Sequence, residues 1–314
     1  MAAKKNMAAR KKRGGKIVGI VGLGIMGGAF AQNLLAAGWR VIGFDVAAPR
    51  RRALARAGVE IAADAGDVAR QTRTIILSLP SPRALVSTVD AIVKAGVSRR
   101  LVIEASTFTI EDKASAEAAL REAGHVLLDC PVSGTGGQAK VKDLVVYASG
   151  GAVEIKKLRP MFAAFTRGLY DLGEFGNGSR MKYVANLLVA IHNVASAEAM
   201  VLGMKAGLPP QLIHDLVNAG VGTSRVFALR APMMVKDRYD QPTMKISVWQ
   251  KDMDVIGSFA QAIGVPTPLF SATLPIYAAA MSTGHAAHDT AAVCAVLEGM
   301  AGVKRAKSSK RSRR

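Results

Sequence analysis

Aromatic residues make up only 5% of the 314 residues, and half of the chain is apolar. A composition poor in rings and rich in Ala, Val, Leu, Met and Gly suits close-packed helices over a buried sheet rather than a β-sandwich. Cysteine is almost missing. Cys130 and Cys294 lie far apart and show no metal or redox spacing, which excludes a disulfide framework and a Cys-based zinc site and leaves two free thiols in a reducing compartment. His125, His214, His285 and His288 show no ligand spacing either, so no metal is expected. No uninterrupted apolar run reaches the ~18 residues of a membrane span, and residues 1–16 lack the apolar core of a secretory signal. A soluble, cytoplasmic protein is therefore expected.

Acidic residues are absent from both ends. Residues 1–16 carry seven positive charges (Lys4, Lys5, Arg10, Lys11, Lys12, Arg13, Lys16), and residues 303–314 carry seven more (Lys304, Arg305, Lys307, Lys310, Arg311, Arg313, Arg314). Setting these fourteen against the net charge of +19 leaves +5 for the remainder, so the basicity is mostly terminal. Segments of this kind cannot bury enough apolar surface to offset their ordering entropy. Residues 1–15 and 302–314 are accordingly expected to be disordered tails. At most they make weak nonspecific contact with nucleic acid.

Between the tails, short apolar runs alternate with helical patterns. Lys16–Val21, Arg40–Asp45, Thr74–Leu79, Leu101–Glu104 and His125–Asp129 read as strands of a parallel sheet covered on both faces. Leu144–Ser149 and Gly168–Leu172 read as a hairpin closing that domain. From Gly176 onward the pattern is helical, with a long helix over 179–206 and further helices near 209–220, 224–235, 247–263, 267–283 and 287–300. The expected fold is α/β, a doubly wound Rossmann-type domain over 16–175 followed by an all-helical domain over 176–301 for substrate and dimerisation. The length of the first helix points to a homo-oligomer, at least a dimer.

Gly22-Leu23-Gly24-Ile25-Met26-Gly27 follows the first strand and opens the first helix, the context in which this spacing binds a dinucleotide. The first glycine makes the turn, the second admits the pyrophosphate, and the third lets helix and strand approach. Asp45 ends the next strand, where a carboxylate binds the ribose hydroxyls and repels a 2′-phosphate. NAD is expected in preference to NADP. Arg50, Arg51 and Arg52 follow, read as a solvent-exposed first helical turn.

Four motifs in order now resemble the β-hydroxyacid dehydrogenases, the family of 3-hydroxyisobutyrate dehydrogenase. They are Gly22–Gly27, Asp129-Cys-Pro-Val-Ser-Gly134, Gly176-Asn-Gly-Ser-Arg-Met-Lys-Tyr-Val-Ala-Asn186 and Lys251-Asp252. The resemblance covers almost everything between residues 16 and 300. It implies that Lys182 is the catalytic lysine and Asn186 its substrate-positioning neighbour. It further implies that Ser133 and Gly134 hold a substrate carboxylate and that Lys251 closes over the nicotinamide end. Leu79-Pro80 and Ser106-Thr107 match loops that touch the cofactor. Elementary chemistry agrees: Lys182 and Asn186, at i and i+4, share a helix face. A lysine in a desolvated, cationic-leaning site can have its pKa lowered far enough to move a proton.

The chain departs from the family at Thr135, Gln138 and Lys142, where glycines are usual, at Ile110, where proline is common, and at Ala185, where a second asparagine is frequent. The segment Leu187–His192 with Gly222-Thr-Ser224 looks more like the threonate dehydrogenase branch, in which His192 and Ser224 would bind extra hydroxyls of a sugar acid. Two other readings compete. An imine reductase shares the architecture, but members of that group usually lack the lysine. A noncatalytic, nucleic-acid-associated scaffold would use the basic tails, yet has no need of Lys182, Asn186 and Lys251 together.

Overall fold

The computed structural model describes residues 16–305, and the chain divides into two compact units, Met1–Lys182 and Tyr183–Arg314. The division falls inside one long helix, Asn177–Lys205. The expected tail 1–15 and the part of the other beyond 305 lie outside the described residues. Arg305 is described. Its guanidinium pairs with Glu298 and donates to the Val235 carbonyl oxygen at 3.1 Å.

In the first unit, β1 (Ile17–Val21), β2 (Arg40–Phe44), β3 (Glu60–Ile61), β4 (Thr74–Leu77), β5 (Leu101–Glu104) and β6 (Val126–Asp129) form a parallel sheet of order β3-β2-β1-β4-β5-β6. Its strands are short, continuous apolar runs, and Val18, Ile20, Ile75, Ile76, Val102 and Leu128 are all buried. Such runs form because helices cover both faces. Phe30 and Leu34 of helix Ile25–Ala36 pack with Phe162 and Phe165 in one core cluster. Val68, Leu85, Ile92 and Leu120 pack in another. The strand order reverses between β1 and β4, and sheets of this type bind ligands beyond the carboxyl ends of their strands at such a reversal. Strand β3 escapes sequence reasoning because two residues carry no periodicity; its Glu60 pairs with Arg40 of β2 at 2.6 Å.

The expected hairpin is corrected by the structure. β8 (Val145–Ala148) and β9 (Gly168–Asp171) are parallel neighbours in a second, three-stranded sheet, in which β7 (Val132–Ser133) runs antiparallel to β8. Residues 149–167 are too many for a hairpin turn. They form a crossover helix, Ala152–Phe162, that buries Ile155, Leu158 and Phe162, and a crossover returns the chain parallel.

The second unit contains the greater part of the 29-residue helix Asn177–Lys205. By length and composition this helix could cross a membrane, with a mean hydropathy of 1.6 over its most apolar window. Its polar side chains instead bond within the unit: Asn193 donates to the Tyr277 hydroxyl and the Thr290 carbonyl oxygen, both at 2.9 Å. Helices Pro210–Ala219, Arg225–Lys236, Ile246–Ala262, Pro268–Ala280 and Val293–Ala301 complete the unit. The helix expected over 267–283 gives way after Ala280 to a π turn, with Gly284 at φ 90°. The segment expected to begin at 287 starts instead with a 3₁₀ turn, Thr290–Ala292, capped by the Asp289 side chain.

Candidate active site

Strand β1 runs into the glycine loop, and the backbone explains each glycine. Gly22 has φ 92°, and a Cβ there would lie 2.1 Å from the Ser78 carbonyl oxygen; one on Gly27 would lie 1.9 Å from the Gly22 carbonyl oxygen. These two positions close the turn. Gly24 is different: a Cβ there would meet nothing nearer than Arg50 Nη1 at 3.7 Å. Gly24 caps helix Ile25–Ala36 without a side-chain hydrogen bond, and no acid occupies the first turn. An open glycine at a bare helix N-terminus is a fitting seat for a pyrophosphate. Around it, Leu23 is buried, Met26 half-buried and Ile25 exposed.

Asp45 lies just past β2 and is buried. Its Oδ2 accepts from the Leu23 amide at 2.8 Å and its Oδ1 from the Ala47 amide at 2.8 Å, so the carboxylate is pinned to the glycine loop. Of the three arginines expected to face solvent, Arg50 and Arg52 are exposed and Arg51 folds back on this strand end. Arg50 Nη1 stands 3.4 Å from Asp45 Oδ2. Arg51 donates to the Asp45 and Val46 carbonyl oxygens at 2.6 and 3.0 Å and lies over the Phe44 ring. The cause is local: these carbonyls end a strand and need donors. Arg52 remains exposed. The loops after β4 and β5 are joined where the Leu79 amide donates to Ser106 Oγ at 2.8 Å. Pro80 is exposed and Thr107 half-buried beside them.

Ser133 ends β7 and Gly134 follows it. The departures from the family motif have structural work. The Thr135 amide donates to Gln138 Oε1 at 3.1 Å, and Gln138 Nε2 donates to Asp143 Oδ2 at 3.0 Å, which rigidifies the turn beyond Gly134. Lys142 takes a left-handed φ of 61°, a conformation that favours glycine and accounts for the usual residue there. Ile110 opens helix Ile110–Glu122, a first-turn position that proline suits equally, with Thr109 Oγ1 capping the Asp112 amide at 3.1 Å.

Lys182 and Asn186 are both buried, one helical turn apart. Asn186 Nδ2 donates to Asp252 Oδ2 at 2.9 Å, and Lys251 Nζ meets Asp252 Oδ1 at 2.7 Å. Asp252 thus fixes both a proposed substrate-positioning amide and a proposed cofactor-closing lysine, a role that its place in the Lys251-Asp252 motif does not disclose. Ser224 Oγ caps helix Arg225–Lys236 by accepting from the Phe227 amide at 3.0 Å, while His192 is half-buried on the long helix. Cys130 and Cys294 are free and buried. Burial pushes the Cys130 thiol well above its ordinary range and that of Cys294 up to about 12, so neither is a ready nucleophile. Among the described residues no group of three or more His, Cys, Asp and Glu could hold a metal ion.

The NAD binding domain of 6-phosphogluconate dehydrogenase matches residues 17–173, and the NAD-binding region of NADP-dependent 3-hydroxyisobutyrate dehydrogenase matches residues 176–297. The chain belongs to the 3-hydroxyisobutyrate dehydrogenase family. Like its family, it is an NAD(P)-dependent oxidoreductase. It is 31% identical to L-threonate dehydrogenase of Escherichia coli strain K12, over 90% of this chain and 95% of that protein. It is 30% identical to L-threonate dehydrogenase of Cupriavidus necator, over 90% and 96%. The crystal structure of 3-hydroxyisobutyrate dehydrogenase from Salmonella typhimurium superposes with a TM-score of 0.82 at 29% identity, covering 90% of this chain and all of that one.

Proposed function

We propose that this protein oxidises the hydroxyl of a small β-hydroxy acid or sugar acid with NAD, with Lys182 as the general acid/base. The observation that carries the reading is the placement of Lys182. It is buried on the first turns of a helix whose Ser179 is bonded to Asp129 at the end of β6, and Asn186 stands one turn further on, held by Asp252.

Gly22 to Gly27, Leu79-Pro80 and Ser106-Thr107 would hold the dinucleotide, Asp45 its ribose and Lys251 its nicotinamide end. The bound nicotinamide supplies the acceptor for the hydrogen and electron pair that leave the carbinol carbon. The rest falls to the chain. Lys182, as the neutral amine, takes the hydroxyl proton as the C=O bond forms and returns it when the reaction runs backward. Such help contributes ~10²–10⁴ in rate. Asn186 aligns the hydroxyl, and Ser133 with Gly134 hold the carboxylate. Ser224 keeps its own O–H as a donor while it caps its helix, so with His192 it can bind further hydroxyls. The threonate dehydrogenases among the relatives favour a sugar acid over a three-carbon acid. Asp45, held by the Leu23 and Ala47 amides at the end of β2, supports NAD over NADP.

We further propose at least a homodimer through the long helix, on which Met181, Val184 and Leu188 are exposed at helical spacing. Light scattering tests this, and a monomer at micromolar concentration refutes it. For the activity, L-threonate, 3-hydroxyisobutyrate and L-serine are each supplied with NAD⁺ and followed at the nicotinamide absorbance. Lys182→Ala should lower turnover by about 10²–10⁴-fold while NAD⁺ affinity persists. Undiminished turnover in that variant would remove Lys182 from the mechanism, and Asp45→Ala should shift preference toward NADP⁺.

A further inference from the structure

Lys113 is wholly buried, and the mechanism above does not use it. Its ammonium donates to the Ser106 carbonyl oxygen and to Asp129 Oδ1, both at 2.8 Å, and forms an ion pair with Glu104 Oε2 at 2.7 Å. Both carboxylates are themselves wholly buried, at the ends of β5 and β6.

Each partner continues the chain of bonds. Glu104 Oε1 accepts from the Ser106 amide at 2.9 Å, and Ser106 Oγ accepts from the Leu79 amide at 2.8 Å, which reaches two of the loops assigned to the cofactor. On the other side, Asp129 Oδ2 accepts from the Ser179 amide at 2.7 Å and Oδ1 from Ser179 Oγ at 2.9 Å. Ser149 Oγ accepts from the Gly178 amide at 2.9 Å and stands 3.2 Å from Asp129 Oδ2. A Cβ on Gly178 would lie 2.7 Å from the Asp129 carbonyl oxygen, so the helix start is pressed onto the end of β6. Ser179 is three residues before Lys182 on the same helix. Asp129 also leads directly into the turn that carries Ser133 and Gly134.

We propose that Lys113 is a positioning residue: one buried ammonium, held between the ends of β5 and β6, sets the Ser106 loop and the first turn of the Lys182 helix in register. The turnover part of this inference rests on the role proposed for Lys182, whereas the part concerning dinucleotide affinity and helix order does not. Burial opposes the charge on Lys113, but the Glu104 and Asp129 carboxylates outweigh it and hold the ammonium above its ordinary range. Lys113 is thus a permanent charge, a strut and not a proton carrier. Stability alone does not call for it, because buried ionic groups can often be replaced by well-packed apolar ones without loss.

The test compares Lys113→Met with the double variant Lys113→Met/Glu104→Gln, which keeps one buried carboxylate and so relieves the uncompensated charge. Four quantities are read: melting temperature, NAD⁺ affinity by calorimetry, amide exchange over 178–182, and kcat against KM for the best substrate. The strut predicts that the double variant regains most of the melting temperature lost in the single one. It also predicts that exchange at 179–182 stays fast, NAD⁺ binding stays weakened by about 10-fold or more, and kcat falls more than KM rises. A double variant with wild-type exchange and NAD⁺ affinity would reduce Lys113 to charge balance and overturn the proposal. If Lys113→Met does not fold, Lys113→Met/Asp129→Asn replaces it, since it removes the ammonium together with the carboxylate that it holds to the helix; unchanged exchange at 179–182 in that variant overturns the proposal equally. A wild-type protein inert toward every hydroxy acid would refute the role of Lys182, while affinity and exchange would still decide that of Lys113.

Discussion

Both units bury charge, and they do so in different places. In the first unit the ammonium of Lys113 sits at the carboxyl ends of two parallel strands, beside loops assigned to cofactor and substrate. In the second, Arg230 on helix Arg225–Lys236 pairs with Asp289 at 2.7 Å. Asp289 also accepts from the Thr243 amide at 2.7 Å and the Ala291 amide at 3.0 Å. That second cluster pins two connections between helices. The difference follows from architecture. A parallel sheet gathers all its strand ends on one side, so a polar network there lies beside a ligand site. A helical unit has no common edge, and its buried ions serve the loops that leave its helices.

The comparison breaks if charge in the second unit governs activity, and Arg230→Met is the strongest test. It strands the buried Asp289 carboxylate and should cost about 3–5 kcal/mol of stability, read by denaturant unfolding, while turnover per folded molecule and NAD⁺ affinity stay at wild-type values. A selective loss of turnover would erase the distinction. Asp252 is the one buried acid of the second unit given a part in the site here, and it sharpens the contrast. Asp252→Asn weakens hydrogen bonds to a charged group worth about 1.5–3 kcal/mol, so kcat/KM should fall roughly 10–100-fold with little change in melting temperature. A stability loss without a kinetic one would return Asp252 to the scaffold.

Smaller effects refine the picture. Ser224→Ala removes a helix cap and should cost about 1 kcal/mol. If the Ser224 hydroxyl also binds substrate, KM for L-threonate rises while that for 3-hydroxyisobutyrate does not. The smallest effect is one of pH. His125 is buried in the first unit, and its Nδ1 accepts from the Arg100 amide at 3.1 Å. Burial, helped by the nearby Arg100 charge, lowers its pKa. The unfolded chain therefore takes up the proton first, and the stability given by the neutral ring is lost as pH falls below about 6.5. Melting temperatures at pH 7.5 and 5.5 should show a shallower acid slope in His125→Gln than in the wild type, and equal slopes would refute this.

Five of the six strands of the parallel sheet were legible because each is a continuous apolar run bounded by turn residues. The dinucleotide loop was legible because its glycines and Asp45 follow one another within a single strand–helix–strand unit. Lys182 and Asn186 were legible as neighbours because four residues make one helical turn. Lys113 was not. In Ile110-Glu-Asp-Lys113-Ala-Ser it stands among acids, as any solvated helical lysine does. The same holds for Asp252, whose amide partner Asn186 lies 66 residues away, and for Arg51, whose triplet resembles an ordinary exposed turn.

By itself, then, the sequence determined the α/β class of the first unit, most of its strands, the helices of the second and the glycine turn, since all of these depend on spacing along the chain. Only the tertiary structure decided which buried charges meet, that β8 and β9 run parallel, and that Asp252 orients Asn186. Those outcomes depend on which strand ends and helix faces pack together, and a charge shows its role only when folding removes it from water and leaves it one set of partners.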